Sequence, residues 1–290
     1  MRFSVVIATK DRADYLQRAL HSLAEQVRGP SFEVIVVDNG SSDATAHVVH
    51  DARASMQQDV QYVFEERPNR AAARNRGVAV AKGHLILFVD DDVWLPSGFL
   101  EAHERAHTTR NLVVSGPIVN VPSYDNRRKP TPGHFSRAFL CTCNVSLERH
   151  AFLQVGGFDE QFRLYGWEDT ELGLRLREEG ARGKFAWSAF LYHIKPPQAA
   201  SLNAALQRAV EKARMAAQFV RKTPSRRARL ATGAYALNLL RARVVAPAWL
   251  LPFYAGLAEQ ERVPELVRTI ARTRLLDGMY AQELSRELGR

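Results

Sequence analysis

Short apolar runs rich in β-branched residues alternate with amphipathic runs in the first part of the chain. The apolar runs predict strands over residues 3–8, 33–38, 60–64 and 84–89. The intervening runs predict helices over residues 12–26, from residue 44 onward, and over residues 70–81. Such alternation is typical of α/β folds, in which a mostly parallel sheet carries helices on both faces. The sequence therefore predicts an α/β domain.

The pattern changes near Pro196 and Pro197. Before this point, further strands are predicted at 113–121, 139–147 and 184–192, and further helices at 148–155 and 168–179. After it, the chain has the composition of helices rich in Ala, Leu and Arg. Helix breaks are expected near Pro224, Pro247, Pro252 and Pro264. We therefore predict an α/β domain over residues 1–196 and a helical region over residues 197–290.

Charge changes at the same point. Residues 1–196 contain 24 Lys and Arg against 24 Asp and Glu, whereas residues 197–290 contain 16 against 7. An anionic surface is the natural partner of such a basic region. Two interpretations stay open: a segment that lies on an anionic membrane, or a helical subdomain that packs on the α/β domain or forms a homodimer. Nucleic acid is not the expected partner, because the first 196 residues are neutral and lack interleaved aromatic and basic residues.

The cysteines and the apolar runs bear on the cellular location. Cys141 and Cys143 are too close in sequence to bridge each other well and have no metal-ligand spacing around them, so we expect two small buried thiols. The apolar run at 3–8 is short for a secretory signal, and the longest uncharged stretch, 244–258, is shorter than the roughly 20 residues of a spanning helix. These features favour the cytoplasm, either free or peripheral on the inner face of the cell membrane.

Three predicted strands end in polar segments: ATKDR at 8–12, DNGSSD at 38–43 and DDDV at 90–93. Ligands of open α/β sheets bind at the carboxyl ends of the strands. The three segments therefore predict a shared nucleotide site.

The acids Asp90, Asp91 and Asp92 follow an apolar strand directly. Because successive strand residues face opposite ways, Asp90 and Asp92 can face one site while Asp91 faces elsewhere. Two carboxylates suit Mg²⁺ or Mn²⁺, which also bind substrate phosphates. The alternative is a solvated turn whose acids cap the following helix.

Three further motifs carry candidate functional residues. Glu168 and Asp169 lie where a helix is expected to begin, so they either stabilise the helix dipole or accept a proton from a substrate hydroxyl. His193 follows the last predicted strand and is either structural or a metal ligand. Arg70 and Arg74 share a predicted helix face and are either solvated or bind a diphosphate.

Six segments of the chain together resemble family 2 glycosyltransferases with the GT-A fold. They are SVVIATKDR (4–12), VIVVDNGSSD (34–43), ARNRG (73–77), FVDDDV (88–93), VGGFDE (155–160) and GWEDTELGLRL (166–176). The resemblance covers residues 1–196 and leaves the helical region unmatched. It implies a Rossmann-like, mixed but mostly parallel sheet flanked by helices. It also implies inverting transfer of a sugar from a nucleotide sugar, favouring a UDP-sugar over GDP- and TDP-sugars, to a hydroxyl of a glycan or lipid-linked acceptor.

The resemblance also implies roles for matching positions around the nucleotide and a Mn²⁺ or Mg²⁺ ion. Asp92 resembles the metal ligand, and His193 resembles the late histidine that completes metal coordination. The implied nucleotide contacts are Thr9 and Arg12 in the first nucleotide loop, Asp38 at the nucleobase, Asp90 near the ribose and Arg74 close to the nucleotide. The resemblance assigns no role to Asp91.

On the acceptor side, Asp169 resembles the catalytic base and Glu168 the residue next to the acceptor. Two other functions remain as alternatives. A sugar nucleotidyltransferase would normally show a Gly-rich activation loop near the N-terminus, and KDRAD (10–14) contains no glycine. A non-catalytic sugar- or nucleotide-binding relative is disfavoured because both acidic clusters are present.

Overall fold

The computed structural model describes residues 1–27, 29–196 and 201–289. Their contacts divide the chain into two compact units. The sheet unit comprises Met1–Arg163 and Glu168–Pro197, and the helical unit comprises Leu164–Trp167 and Gln198–Arg290. Pro197, on one side of the predicted boundary, lies outside the described residues, and the division at that point stays a prediction.

The described part of the sheet unit contains ten strands and six α-helices. In chain order they are β1 (Phe3–Thr9), α1 (Ala13–Ala24), β2 (Phe32–Asp38), α2 (Thr45–Ser55), β3 (Asp59–Phe64), α3 (Arg70–Val80), β4 (Leu85–Val89), β5 (Val93–Trp94), α4 (Phe99–Ala106), β6 (Leu112–Ser115), β7 (Ile118–Val121), β8 (Asn144–Glu148), α5 (Arg149–Gln154), α6 (Glu168–Glu178), β9 (Arg182–Phe185) and β10 (Leu191–Ile194).

Seven of these strands form one sheet in the order β3-β2-β1-β4-β8-β6-β9. The first four run parallel to one another, whereas β8 is antiparallel to both of its neighbours. Helix α1 covers one face of this sheet and α3 covers the other, each with its own apolar cluster. Burial on both faces explains why β1 and β2 are continuous apolar runs. The predicted mixed, mostly parallel sheet flanked by helices is confirmed.

Three long strand predictions were wrong in detail. The run 113–121 is two strands, because Gly116 and Pro117 carry the chain from the large sheet to a small second sheet of order β5-β10-β7. The run 184–192 divides in the same way into β9 and β10. In the run 139–147 only residues from Asn144 onward are extended, because the preceding residues turn to bind the start of α6.

The described part of the helical unit consists of five α-helices: α7 (Leu202–Lys222), α8 (Arg226–Thr232), α9 (Ala236–Val245), α10 (Leu251–Glu259) and α11 (Glu265–Leu288). Small residues of α7, among them Ala213 and Ala217, pack with Leu284 of α11 in its core. Pro252 lies in the first turn of α10, where a proline is tolerated, so the helix break expected near it is the start of this helix. Within the described ranges, every helix is too short or too polar to cross a bilayer.

Candidate active site

The carboxyl ends of β1, β2 and β4 lie side by side because β1 pairs in parallel with both other strands. These ends carry Thr9, Asp38 and the Asp90–Asp92 segment. The three polar segments singled out from the sequence are therefore neighbours at one edge of the sheet.

Asp38 is a buried carboxylate held by two hydrogen bonds. Its Oδ1 accepts from the Ser41 backbone N–H at 2.7 Å, and its Oδ2 accepts from the Tyr62 hydroxyl at 2.7 Å. Burial and this bond to Asp38 raise the pKa of Tyr62 to about 12, so the hydroxyl keeps its proton. Each carboxylate oxygen still has a lone pair available, so Asp38 can accept a further hydrogen bond from a ligand.

Arg12 supplies a positive partner for the acidic segment. Its two terminal nitrogens lie 2.9 Å from Asp91 Oδ1 and 2.9 Å from Asp92 Oδ2. Thr9 Oγ1 donates to Asp91 Oδ2 at 2.7 Å. The Arg12 guanidinium also lies over the ring of Tyr15, 4.8 Å from its centroid. Thr9, the last residue of β1, and Arg12, which follows the strand, therefore contact the acids directly.

Asp91, to which the sequence assigned no role, is the most deeply buried of the three acids at 3% exposure. Burial raises its pKa to about 6 despite the opposing charge of Arg12. The expectation that it faces away from the site was incomplete, because Arg12 ties it to Asp92. Strand β4 ends at Val89, so strict alternation of faces no longer applies to residues 90–92.

His193 reaches Asp92 from the small second sheet. Its Nε2 lies 3.1 Å from Asp92 Oδ1, and its Nδ1 lies 3.1 Å from Asn120 Oδ1. His193 and Asn120 are register partners on β10 and β7, so the pairing of these strands sets the imidazole orientation. In a neutral imidazole, an Nδ1–H that donates to Asn120 would leave the lone pair on Nε2, toward the acids. No sequence pattern pointed to Asn120, which belongs to another strand.

The donor atoms around His193 suit a divalent cation. Ligand atoms of Asp90, Cys143 and His193 lie within 4.8 Å of one another. Asp92 Oδ1 is shielded from solvent and accepts no well-aligned hydrogen bond from the described residues. Burial raises the pKa of Cys143 well above its usual value, so this thiol keeps its proton. The remaining carboxylates and imidazole fit Mn²⁺ and, with the imidazole a weaker match, Mg²⁺.

Arg74 lies between the two acidic clusters. Its side chain is buried on α3, 3.8 Å from Asp90 Oδ1 and 3.4 Å from Glu168 Oε1. The helix begins at Arg70 because the Asn69 side chain caps its first backbone N–H groups. Arg70 itself is solvent-exposed, whereas Arg74 lies against the acids.

Asp169 has one bound and one unbound carboxylate oxygen. Oδ2 accepts from the Thr142 backbone N–H at 2.9 Å and from Thr142 Oγ1 at 3.1 Å. Oδ1 is shielded from solvent and has no hydrogen-bond donor among the described residues. Burial raises the pKa of Asp169 to about 6, with the nearby Arg74 charge acting in the opposite direction. A carboxylate of this kind can accept a proton near neutral pH.

Thr142 was missed because the sequence placed it within a strand between two cysteines. Neither cysteine forms a disulfide; Cys143 is buried and Cys141 half-buried, close to the prediction of two small buried thiols. The residue before Glu168, Trp167, has a left-handed backbone with φ of 76°. Such a conformation is uncommon for a bulky residue and is concentrated at functional sites.

The chain was compared with known protein families, curated proteins and solved structures. A model described as glycosyl transferase family 2 matches residues 4–164. Validoxylamine A glucosyltransferase of Streptomyces hygroscopicus subsp. limoneus is 32% identical over 219 residues, which covers 61% of this chain and 48% of the relative. The chain thus spans about half the length of the first curated relatives it matches.

Two solved structures resemble the fold. Mannosyltransferase PcManGT from Pyrobaculum calidifontis, solved with GDP-Man and Mn²⁺, has a TM-score of 0.66 at 19% identity, covering 99% of this chain and 86% of that one. TarS 1–349 of S. aureus, solved with UDP-GlcNAc, has a TM-score of 0.58 at 19% identity, covering 98% and 91%. At these identities the likeness shows the fold alone, and it confirms the predicted fold class.

Proposed function

The chain belongs to glycosyl transferase family 2, and we propose that it moves a sugar from a nucleoside diphosphate sugar to a hydroxyl of a glycan or lipid-linked acceptor, with inversion at the anomeric carbon. A UDP-sugar is the favoured donor, with GDP- and TDP-sugars as alternatives. One observation carries the proposal: Arg74 lies between Asp90 and Glu168. Asp90 is next to the candidate metal ligands, and Glu168 is next to Asp169, whose Oδ1 accepts no hydrogen bond from the described residues.

On the donor side, we assign Asp92 and His193 as ligands of a divalent cation, with Asp90 near the ribose. When bound, Mn²⁺ or Mg²⁺ would act as a Lewis acid that offsets the charge of the departing diphosphate. The mixed carboxylate and imidazole donors favour Mn²⁺, and the similar PcManGT was solved with Mn²⁺.

The remaining donor-side residues orient the nucleotide. Asp38, fixed by Ser41 and Tyr62, has lone pairs left for the N–H groups of a nucleobase. Thr9 and Arg12 hold the acidic segment in place and line the nucleotide loop. Arg74 places a permanent positive charge close to the nucleotide, where it also offsets the negative charge of the two acidic clusters.

On the acceptor side, Asp169 takes the proton from the attacking hydroxyl as the acceptor oxygen bonds to the anomeric carbon and the diphosphate departs from the opposite face. Thr142 holds Oδ2, which leaves Oδ1 as the oxygen that receives the proton. One displacement needs no covalent sugar–enzyme intermediate, and so no second carboxylate is required as a nucleophile. Glu168 lies beside the acceptor and pairs with Arg74.

The decisive experiment separates transfer from donor binding. Asp169→Asn keeps an oxygen for the Thr142 donors but cannot take a proton, so we expect kcat to fall by about 10²–10⁴-fold while titration calorimetry shows an unchanged donor Kd. Asp92→Ala is the matched control: it should weaken donor binding in the presence of Mn²⁺ and have little effect without the ion. Equal loss of donor binding and kcat in Asp169→Asn would remove Asp169 from the role of base.

Two further measurements on the transfer reaction identify the donor and the stereochemistry. Release of UDP, GDP or TDP from a panel of nucleotide sugars identifies the nucleobase, and the NMR coupling constant of the product's anomeric proton identifies inversion or retention. Pyrophosphate formation from a nucleoside triphosphate and a sugar 1-phosphate would instead support the nucleotidyltransferase alternative.

A further inference from the structure

The helical unit exposes far more large apolar side chains than the sheet unit does. Of the described residues, eight such side chains of the helical unit are at least 50% exposed, compared with four in the larger sheet unit. Trp249 is exposed by 78%, Leu237 by 74% and Val244 by 73%. Soluble surfaces carry isolated apolar residues, but a concentration of them marks an interaction surface.

Helix α9 carries three of these side chains on one face, which we call the α9 stripe: Leu237, Leu240 and Val244. Their spacing of three and four residues places them one above another along the helix. The same helix exposes Arg241 and Arg243, neither of which pairs with an acid within the described ranges. No residue of α9 is fully buried.

The chain segment that contains the α9 stripe carries charge of a single sign. Residues 212–258 contain nine Lys and Arg and no Asp or Glu. Six of the eight exposed apolar side chains lie in this same segment, among them the α9 stripe, Trp249 and Phe253. A partner that fits must therefore accept apolar side chains and carry negative charge.

We propose that this surface binds the interfacial layer of a bilayer that contains anionic lipids. The α9 stripe and Trp249 enter the boundary between headgroups and acyl chains, while Arg241 and Arg243 contact the lipid phosphates. Tryptophan favours this depth because its ring is apolar and its N–H is polar. A helix of ten residues is about 15 Å long, so it lies in the plane of the bilayer and does not span it.

Two other partners fit the surface less well. A second copy bound symmetrically through the same surface would bring the positive side chains of both copies together without an intervening acid. A nucleic acid would satisfy the arginines but leave the α9 stripe in water, because such interfaces are polar and consist largely of phosphate contacts. An anionic bilayer satisfies both features.

The test is flotation of the full chain with vesicles of phosphatidylcholine alone or with 30% phosphatidylglycerol, without donor or acceptor. We expect binding to the anionic vesicles that weakens as salt is raised. Arg241→Gln with Arg243→Gln should weaken this binding by roughly 30-fold, since each basic residue near the surface contributes about fivefold. The matched control is Arg53→Gln with Arg110→Gln, two exposed arginines of the sheet unit, which should bind as the wild type does.

Insertion has its own readout. Lipids brominated on their acyl chains should quench the fluorescence of Trp249, so Trp249→Phe should lose most of the quenching, whereas Trp187→Phe in the sheet unit should retain it. Failure to float with either vesicle, or equal binding to neutral and anionic vesicles, would overturn the proposal. So would a dimer in sedimentation equilibrium that dissociates on Leu240→Ser while lipid binding is absent. Each result stands whether or not the chain transfers sugar.

Discussion

The two units of the molecule treat charged side chains in opposite ways. In the sheet unit, several ionisable groups are buried, among them Asp38, Asp91, Asp92 and Arg74. In the described part of the helical unit, Glu283 is the buried ionisable side chain, and the arginines of α8 and α9 face solvent beside exposed apolar residues.

Buried charges are costly unless they are paired, so the sheet unit must hold each acid against a fixed partner such as Arg12 or Arg74. This fixed arrangement is what a catalytic site needs, because its groups must be oriented before the substrate binds. Exposed arginines stay hydrated at little cost, and exposed apolar side chains favour a partner that removes them from water. The sheet unit therefore holds its ionisable groups in a fixed frame, whereas the helical unit leaves arginines and apolar side chains exposed.

The largest expected effect tests the rigidity of the sheet unit at Gly116, where the chain passes between the two sheets. A Cβ there would lie 1.8 Å from the Ala189 carbonyl oxygen, which also accepts a hydrogen bond from the buried Asn144 amide. We expect Gly116→Ala to destabilise this unit by at least ~3 kcal/mol. Hydrogen exchange in urea, read peptide by peptide, should show lost protection in β6 and β8 and unchanged protection in α7 and α11.

Gly133→Ala is the matched control, since its nearest neighbour would be Thr131 Oγ1 at 3.7 Å and the position lies in an exposed loop. Its stability should stay within about 0.5 kcal/mol of the wild type. If Gly116→Ala retained full protection in β6 and β8, the sheet unit would accommodate the added methyl group and would not be rigid at this position.

The sequence predicted most of the frame because its elements are local patterns. Strands β1, β2 and β4 are apolar runs, and the polar residues that end them are enough to predict that Thr9, Asp38 and Asp90–Asp92 lie at one edge of the sheet. What the sequence did not predict are pairings across distant segments. Thr142 binds Asp169, and Asn120 binds His193. Both contacts join residues far apart in the sequence, so no local hydrophobic pattern predicts them.

The helical unit was predicted only in outline for a related reason. Its helices follow from composition, but whether an apolar face is covered by other helices depends on packing. Leu239 and Leu240 are adjacent in the sequence; Leu239 packs on the core of this unit, whereas Leu240 is exposed. Composition treats the two alike, so the α9 stripe follows from the packing of the helices and not from their sequence.

The next effect in size tests whether Asp169 is held in an unfavourable charged state. Its folded pKa of about 6 lies above the ordinary 3.8, so the folded chain is disfavoured wherever Asp169 is ionised in both states. Below pH ~3.8 Asp169 is protonated in both the folded and the unfolded chain, so this penalty is absent. As the pH rises through about 6, Asp169 ionises in the folded chain as well, and the penalty reaches its full size. Asp169→Asn should therefore be more stable than the wild type at pH 8, by about 1–3 kcal/mol, with the gain shrinking toward pH 4.

Thermal unfolding at pH 4, 6 and 8 measures this difference, with Asp125→Asn in an exposed loop as the control that should show no trend. A gain of stability that accompanies the loss of kcat is the sign of a residue held for function. Equal stability of Asp169→Asn and the wild type at pH 8 would mean that Arg74 fully compensates the burial, and the raised pKa would be wrong.

The smallest expected effect tests the openness of the helical unit with two of its own glycines. Gly256 lies on the exposed side of α10, where a Cβ would meet nothing within 4 Å, so Gly256→Ala should stabilise the helix by about 0.5–1 kcal/mol. Gly278 of α11 has no such space: its Cβ would lie 2.6 Å from Leu251 Cδ2 and 2.9 Å from Ala246 Cβ. Gly278→Ala should lose that gain and destabilise the unit. Both substitutions add the same methyl group to a helix, so the difference in hydrogen exchange between α10 and α11 reports packing alone. Equal effects would mean that the space around Gly278 is as open as that around Gly256, and that the unit lacks a tightly packed core there.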